Sequence, residues 1–135
     1  MFENIESGRK NIKVNAPKNW SIHANGLGNN VFLVDPEGNN ILFRIDNVPY
    51  FCTTTTLVYL TYQFSSFIPV NDLEIKEINV DTHSNVELKF EMKSGRKKYK
   101  GEIKVFESKE DIKLVGYASS DEKITFEQAI GILGV

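Results

Sequence analysis

The sequence predicts an α+β fold: a twisted antiparallel sheet of about six to eight strands, with one helix after the first meander and another at the C-terminus, both packed on the sheet. Three observations predict it. Short runs with alternating apolar residues recur along the chain, separated by clusters of Pro, Gly, Asn and Asp. Val86–Met92 and Tyr99–Val105 alternate strictly, as long half-buried strands do. Two stretches, 54–67 and 125–133, place their apolar residues at helical spacing instead.

The elements follow in order. Residues 1–9 are expected as a loose lead-in, leaving one domain over 10–135. Ile12, Val14 and Ala16 alternate and predict the first strand of a meander, ended by Pro17. Trp20, Ile22 and Ala24 alternate next, and Trp20 is expected to be largely buried, anchoring the first hairpin. Asn25-Gly26-Leu27-Gly28-Asn29-Asn30 is a loop by composition. Val31–Val34 is apolar on both faces and so predicts a central strand. Asp35-Pro36-Glu37-Gly38-Asn39 predicts a turn, after which Ile41, Phe43 and Ile45 alternate.

From Asn47 to Asn71 there is no Asp, Glu, Lys or Arg. Leu57, Leu60, Phe64 and Phe67 recur at helical spacing, and Thr53 or Thr54 can cap the start. The β-branched and aromatic run at 53–62 argues for strand; the spacing predicts a helix. A membrane span is not expected, because Pro49 and Pro69 bracket a stretch diluted by Thr, Ser and Gln.

Leu73 and Ile75 have one parity, Ile78 and Val80 the other, so a β-bulge near Lys76-Glu77 is needed to bring all four to one face. The next hairpin fixes its own register. Pairing about Gly95-Arg96 matches Glu91 with Lys100, Lys89 with Glu102 and Glu87 with Lys104 on the outward face. The inward face then matches Met92 with Tyr99, Phe90 with Gly101, Leu88 with Ile103 and Val86 with Val105. A slip of one residue turns the apolar set to water. Gly95 at the first loop position suits a type II′ turn, and Lys93 opposite Lys98 is the one unfavourable pair. Ile112, Leu114 and Gly116 alternate as a last strand. Phe126, Ala129, Ile130 and Leu133 make a helical stripe opened by the capping-box sequence Thr125-Phe126-Glu127-Gln128, although Ser119 or Ser120 could cap an earlier start.

A chain of 135 residues carries one core. With a formal net charge of -2, no global field draws nucleic acid or anionic lipid, so such a partner needs a local basic patch. Cys52 is the single cysteine, which excludes an internal disulfide. The first ten residues hold no apolar core of signal-peptide length, so the expected location is cytoplasmic, and the sequon Asn19-Trp20-Ser21 is not expected to carry glycan.

Pro17 and Trp20, the strand pair Val31–Ile45 around its polar turn, and the Phe- and Ile-containing helix Thr125–Leu133 together resemble the PsbP-like domains of the Mog/PsbP superfamily. The resemblance spans Asn11–Leu133. It implies an antiparallel sheet with helices packed on it. It also implies non-catalytic work, since members serve as accessory subunits of photosynthetic complexes, as Ran GTPase-binding factors, or as uncharacterised bacterial and archaeal domains. No photosystem targeting sequence and no Ran-related motif accompanies it, so only the fold and a general binding role carry over.

The candidate chemistry is sparse. His23, His83, Cys52 and scattered carboxylates do not give the clustered ligands of a zinc site; Asp81-Thr82-His83 comes nearest and also reads as a polar turn. No G-x-S-x-G elbow is present, and Cys52 has no basic residue nearby in sequence to lower its pKa. Gly26-Leu27-Gly28 precedes a strand, not the helix a phosphate loop requires. No catalytic residue, metal or cofactor is therefore expected, while an enzyme whose site is assembled across loops stays open as the alternative.

Two binding surfaces are expected. Tyr50, Tyr59, Tyr62 and Gln63 belong to the charge-free segment and suit a protein partner or a homodimer, with burial inside the domain as the competing reading. Lys93, Arg96, Lys97, Lys98 and Lys100 crowd one hairpin tip. That tip reads as a solvated hairpin, or alternatively as a site for an acidic partner or nucleic acid. Nucleic acid is the less favoured because Tyr99 faces the core in the derived register. Nothing in the sequence speaks for or against a small molecule.

Overall fold

A computed structural model describes residues 3–7, 10–24, 30–46, 61, 63–82, 85–107, 112–120 and 124–135. The strands are β1 (Glu3–Ser7), β2 (Lys10–Val14), β3 (Ser21–Ala24), β4 (Asn30–Val34), β5 (Asn40–Ile45), β6 (Asp72–Thr82), β7 (Asn85–Ser94), β8 (Lys97–Glu107) and β9 (Ile112–Ser119). Strands β3 to β9 form a seven-stranded antiparallel sheet in the order β3-β4-β5-β9-β8-β7-β6. The chain thus climbs through one meander, crosses to the far edge, and returns through a second meander until β9 pairs with β5.

One sequence expectation changes at the N-terminus. Glu3–Ser7, expected as part of a loose lead-in, is a strand, and β2 pairs with it instead of joining the meander. Trp20, expected to be largely buried, is partly buried and packs against one of the cores. Pro17-Lys18-Asn19-Trp20 is a tight turn in which the Trp20 N–H donates to the Pro17 carbonyl at 3.3 Å and Asn19 takes φ 75°. A positive φ at the third residue is the type II arrangement that Asn tolerates. The turn delivers Trp20 to the head of the edge strand β3, where it covers the margin of a core and leaves one side in water.

Alternation puts two cores on opposite faces of the sheet. Phe32, Val34, Ile41, Phe43, Leu88, Phe90, Met92, Tyr99, Ile103, Leu114 and Ala118 fill the first, capped by Phe64 with Phe67, Ile68 and Val70. Val31, Leu33, Leu42 and Val115 start the second, closed by Val14 and Ala16 and by Ala129 and Leu133 of the C-terminal helix Phe126–Leu133. Strand β4 is buried on both faces, as its apolar run predicts.

The derived hairpin register holds at every described pair, from Glu87 opposite Lys104 to Ser94 opposite Lys97. Gly95 has φ 62° while Arg96 does not enter the left-handed region, which matches the type II′ turn. The bulge falls between Ile75 and Glu77, so Leu73, Ile75, Ile78 and Val80 stand in register opposite Met92, Phe90, Leu88 and Val86. The capping box is present in both directions, Gln128 N–H to the Thr125 hydroxyl and Thr125 N–H to the Gln128 side chain. The helix expected after the first meander is not shown: among its described residues, Thr61 and Gln63 have helical backbone and Phe64–Ser66 is a 3-10 turn, while 47–60 lie outside the described residues.

Candidate functional site: the uncovered half of the sheet

The C-terminal helix packs over β5, β9 and β2, so it covers only part of the second face. Over β6, β7 and β8 that face carries the outward set derived from the register. Glu91 stands opposite Lys100, Lys89 opposite Glu102 and Glu87 opposite Lys104. Lys76, at the bulge, bonds Glu74 at 3.2 Å and Glu91 at 3.3 Å. Lys89 reaches Glu77 at 3.4 Å and Glu87 at 3.5 Å, and Lys104 reaches Glu102 at 3.4 Å. The bulge therefore has two effects: it restores the apolar parity of β6 and inserts a lysine between two carboxylates. Hydrogen bonds donated to Glu74 and Glu91 raise the Lys76 pKa, and one donated to Glu77 raises that of Lys89.

Where the sheet meets the helix, a concavity of about 380 Å³ opens between Lys100, Glu102, Lys104, Tyr117 and Ser119 on the floor and Ile124, Thr125, Phe126 and Glu127 on the wall. The Tyr117 and Phe126 rings lie 6.3 Å apart, and the Lys104 ammonium stands 4.7 Å from the Phe126 ring centre. The Tyr117 hydroxyl donates to Glu102 at 3.3 Å. Burial, with the Glu102 charge added, pushes the Tyr117 pKa up to about 12. Two further depressions adjoin. One of about 350 Å³ runs past Gly101 to Lys76 and Lys89, and one of about 640 Å³ is lined by Glu91, Arg96, Lys97, Lys98, Lys100 and Ser120. Lys100 lines all three.

The last depression lies at the β7–β8 tip, which is held on both sides. The Lys97 ammonium donates to the Glu37 carbonyl at 3.1 Å and to Asn39 Oδ1 at 2.6 Å, tying the tip to the β4–β5 turn. That turn is ordered in its own right, because Asp35 accepts from the Asn39 N–H at 2.7 Å and from the Asn40 amide at 2.9 Å. Beneath it the Tyr99 hydroxyl donates to the Gly38 carbonyl. On the other side Asn71 accepts from the Gly95 N–H at 2.6 Å and donates its own N–H to the Lys93 carbonyl at 2.8 Å.

The sequence-expected sites divide accordingly. Lys93, Arg96, Lys97, Lys98 and Lys100 lie in or beside the β7–β8 turn, all exposed, and Tyr99 is buried on the core side. Tyr50, Tyr59 and Tyr62 lie outside the described residues, as do Cys52 and His83. Gln63 is half-buried beside the buried Phe64. His23 is exposed on β3, its ring 5.0 Å from that of Phe67. Among the described residues, no cluster of three His, Cys, Asp or Glu forms a metal site.

Sequence reasoning missed the Arg44–Asp46 pair and the Tyr117–Phe126 groove. Arg44 alternates with Phe43 and so reads as a solvent-facing residue; the helix that covers it comes from the far end of the chain. The available signal was Arg-x-Asp closing a run otherwise apolar from Ile41 to Ile45. Tyr117 and Phe126 were separable as an aromatic pair only once β9 was known to lie under the helix. Compared with protein-family models and with curated proteins, the chain matches none.

Proposed function

We propose that the protein is a non-catalytic protein-binding domain, an accessory module of PsbP-like architecture that works through the uncovered half of its sheet. The observation that carries this reading is the surface itself: a rigid, register-locked face whose three depressions share Lys100 and run from the Tyr117–Phe126 groove to the basic tip. Its charges are set for recognition. Lys76 is shared between Glu74 and Glu91, and Lys89 between Glu77 and Glu87, and these carboxylates raise both lysine pKa values. The seven-stranded antiparallel sheet with a C-terminal helix on one face supports the α+β part of the reading; its PsbP-like part rests on the sequence resemblance alone. Among the described residues no helix is long and apolar enough to cross a membrane.

The test compares partner capture from the host by the full chain and by Lys100→Glu, an exposed substitution at the residue common to the three depressions. The reading predicts a defined partner that the parent retains and the variant loses. Equal capture by both would contradict it.

A further inference from the structure

The tip between β7 and β8 breaks the charge order of the face it ends. Along the body of the hairpin every outward cation stands opposite an acid, and Lys76, Lys89 and Lys104 all sit within ion-pair distance of one. At the tip Lys93 stands opposite Lys98, and Arg96 and Lys97 follow in the turn. Asp72 faces Lys93 from β6. Among the described residues, no carboxylate lies within ion-pair distance of Arg96 or Lys98. Like charges placed directly opposite destabilise a strand pair; Glu74 opposite Glu91 is such a pair too, but Lys76 bridges it, whereas the conflict at the tip has no such bridge and so marks a functional position. We propose that this tip docks an acidic protein segment, with Arg96 and Lys98 taking its carboxylates; the proposal rests on the protein-binding reading above and names the partner's chemistry.

Three features of the tip fit that occupant. The hairpin is fixed before binding, by Lys97 on the β4–β5 turn and by Asn71 on Gly95, so little ordering entropy is lost on association. A concavity of about 640 Å³ lies between Arg96, Lys97, Lys98, Lys100 and Ser120. Lys98 and Lys100 are two residues apart on one face of β8, roughly 7 Å, which is the spacing of alternate side chains in an extended segment. An extended partner laid along β8 with an acid at Lys98 therefore carries its next residue on that face to Lys100, which Glu91 already faces.

A nucleic acid fits less well. The aromatic residue of the tip, Tyr99, is 1% exposed, so no ring is offered for base stacking. Glu91 lines the same concavity and Asp72 flanks it, so an unbroken run of phosphates would meet these acids, whereas a peptide that alternates acids with neutral residues can set its neutral positions against them.

The experiment measures fluorescence anisotropy of a labelled ten-residue Glu-Ser repeat peptide titrated with the full chain at low and at physiological salt. Parallel titrations use Arg96→Glu, Lys98→Glu, and Lys18→Glu on the Pro17–Trp20 turn as a control for net charge. A labelled oligothymidylate is the nucleic-acid comparison. The expected result is salt-sensitive peptide binding, weakened about tenfold by Arg96→Glu or Lys98→Glu and unchanged within about twofold by Lys18→Glu. No binding at low salt, or equal weakening by all three substitutions, would overturn the proposal. Oligothymidylate binding as tight as the peptide's would also overturn it, in favour of a nucleic-acid site. Absent peptide binding together with loss of the host partner by Lys100→Glu would reject the acidic-segment inference and leave the protein-binding reading standing. Host capture unchanged by Lys100→Glu rejects that reading itself.

Discussion

Replacing Arg44 by Met should remove the polar clamp that ties both ends of the chain to the sheet. The Arg44 guanidinium makes a two-pronged bond to Asp46, Nε to Oδ1 at 2.8 Å and a terminal nitrogen to Oδ2 at 2.9 Å. Its other terminal nitrogen donates to the Leu133 carbonyl at 2.8 Å, the Lys13 carbonyl at 3.0 Å and the Gly134 carbonyl at 3.4 Å. One side chain thus joins β5, the end of β2 and the C-terminal end of the helix, where a cation also complements the helix dipole. Arg44 is 8% exposed and Asp46 5% exposed. Removing one member of a buried pair costs about 3–5 kcal/mol, since the other charge is stranded. Lys113, 3.6 Å from Asp46, offsets part of that, and water can reach the freed carbonyls of Lys13 and Gly134, so the lower end, about 3 kcal/mol, is expected. Met keeps most of the apolar stem and isolates the polar loss. Denaturant unfolding measures the cost, and Asp46→Asn in the Arg44→Met background should recover part of it. A loss below about 1 kcal/mol, or no coupling between the two sites, would refute the clamp.

Gly101 lies opposite Phe90, whose ring occupies the space a Cβ would need, with the Tyr117 carbonyl behind it. Gly101→Ala should therefore cost about 1–3 kcal/mol in denaturant unfolding. Gly131→Ala, in an open helical position, should instead gain about 0.5–1 kcal/mol, and equal effects would refute the distinction. Tyr117 and Tyr99 both have raised pKa values, so of five tyrosines at least these two should ionise late in a spectroscopic alkaline titration. The sign follows from linkage: a raised folded pKa contributes stability that is fully present below the ordinary value of 10.0 and is lost as pH climbs toward about 12. Stability that stays flat across that window would contradict it. Trp20→Ala should cost about 2 kcal/mol, below the ~3–5 kcal/mol of a fully buried Trp, because one side of the ring is already wet; a thermal melt checks this.

What the sequence showed and hid follows from the range of the interactions. The β7–β8 register was legible because both faces of one short hairpin had to be satisfied together, charges outward and apolar residues inward, and only one alignment does so. The bulge was legible for the same reason, since Leu73 and Ile78 differ in parity. The capping box lies within four residues. The clamp was hidden because it joins residues 13, 44 and 133, and periodicity marks Arg44 only as facing away from Phe43. The β1–β2 hairpin was hidden because Glu3–Ser7 carries too little apolar alternation to announce a strand. The basic tip was legible as a cluster, but its latch was not: Lys97 bonds the β4–β5 turn, about sixty positions away in sequence. The cause of the charge-free gap is visible only in its described part, where Phe64, Phe67, Ile68 and Val70 roof the first core.

The central claim is that the uncovered half of the sheet is a surface for another protein. Amide hydrogen exchange of the full chain, with and without the partner captured from the host, tests it most directly. The account predicts new protection in 93–104 and 117–127, strongest at the tip residues 95–100. Protection confined to 50–63, or protection nowhere in the chain, would contradict it.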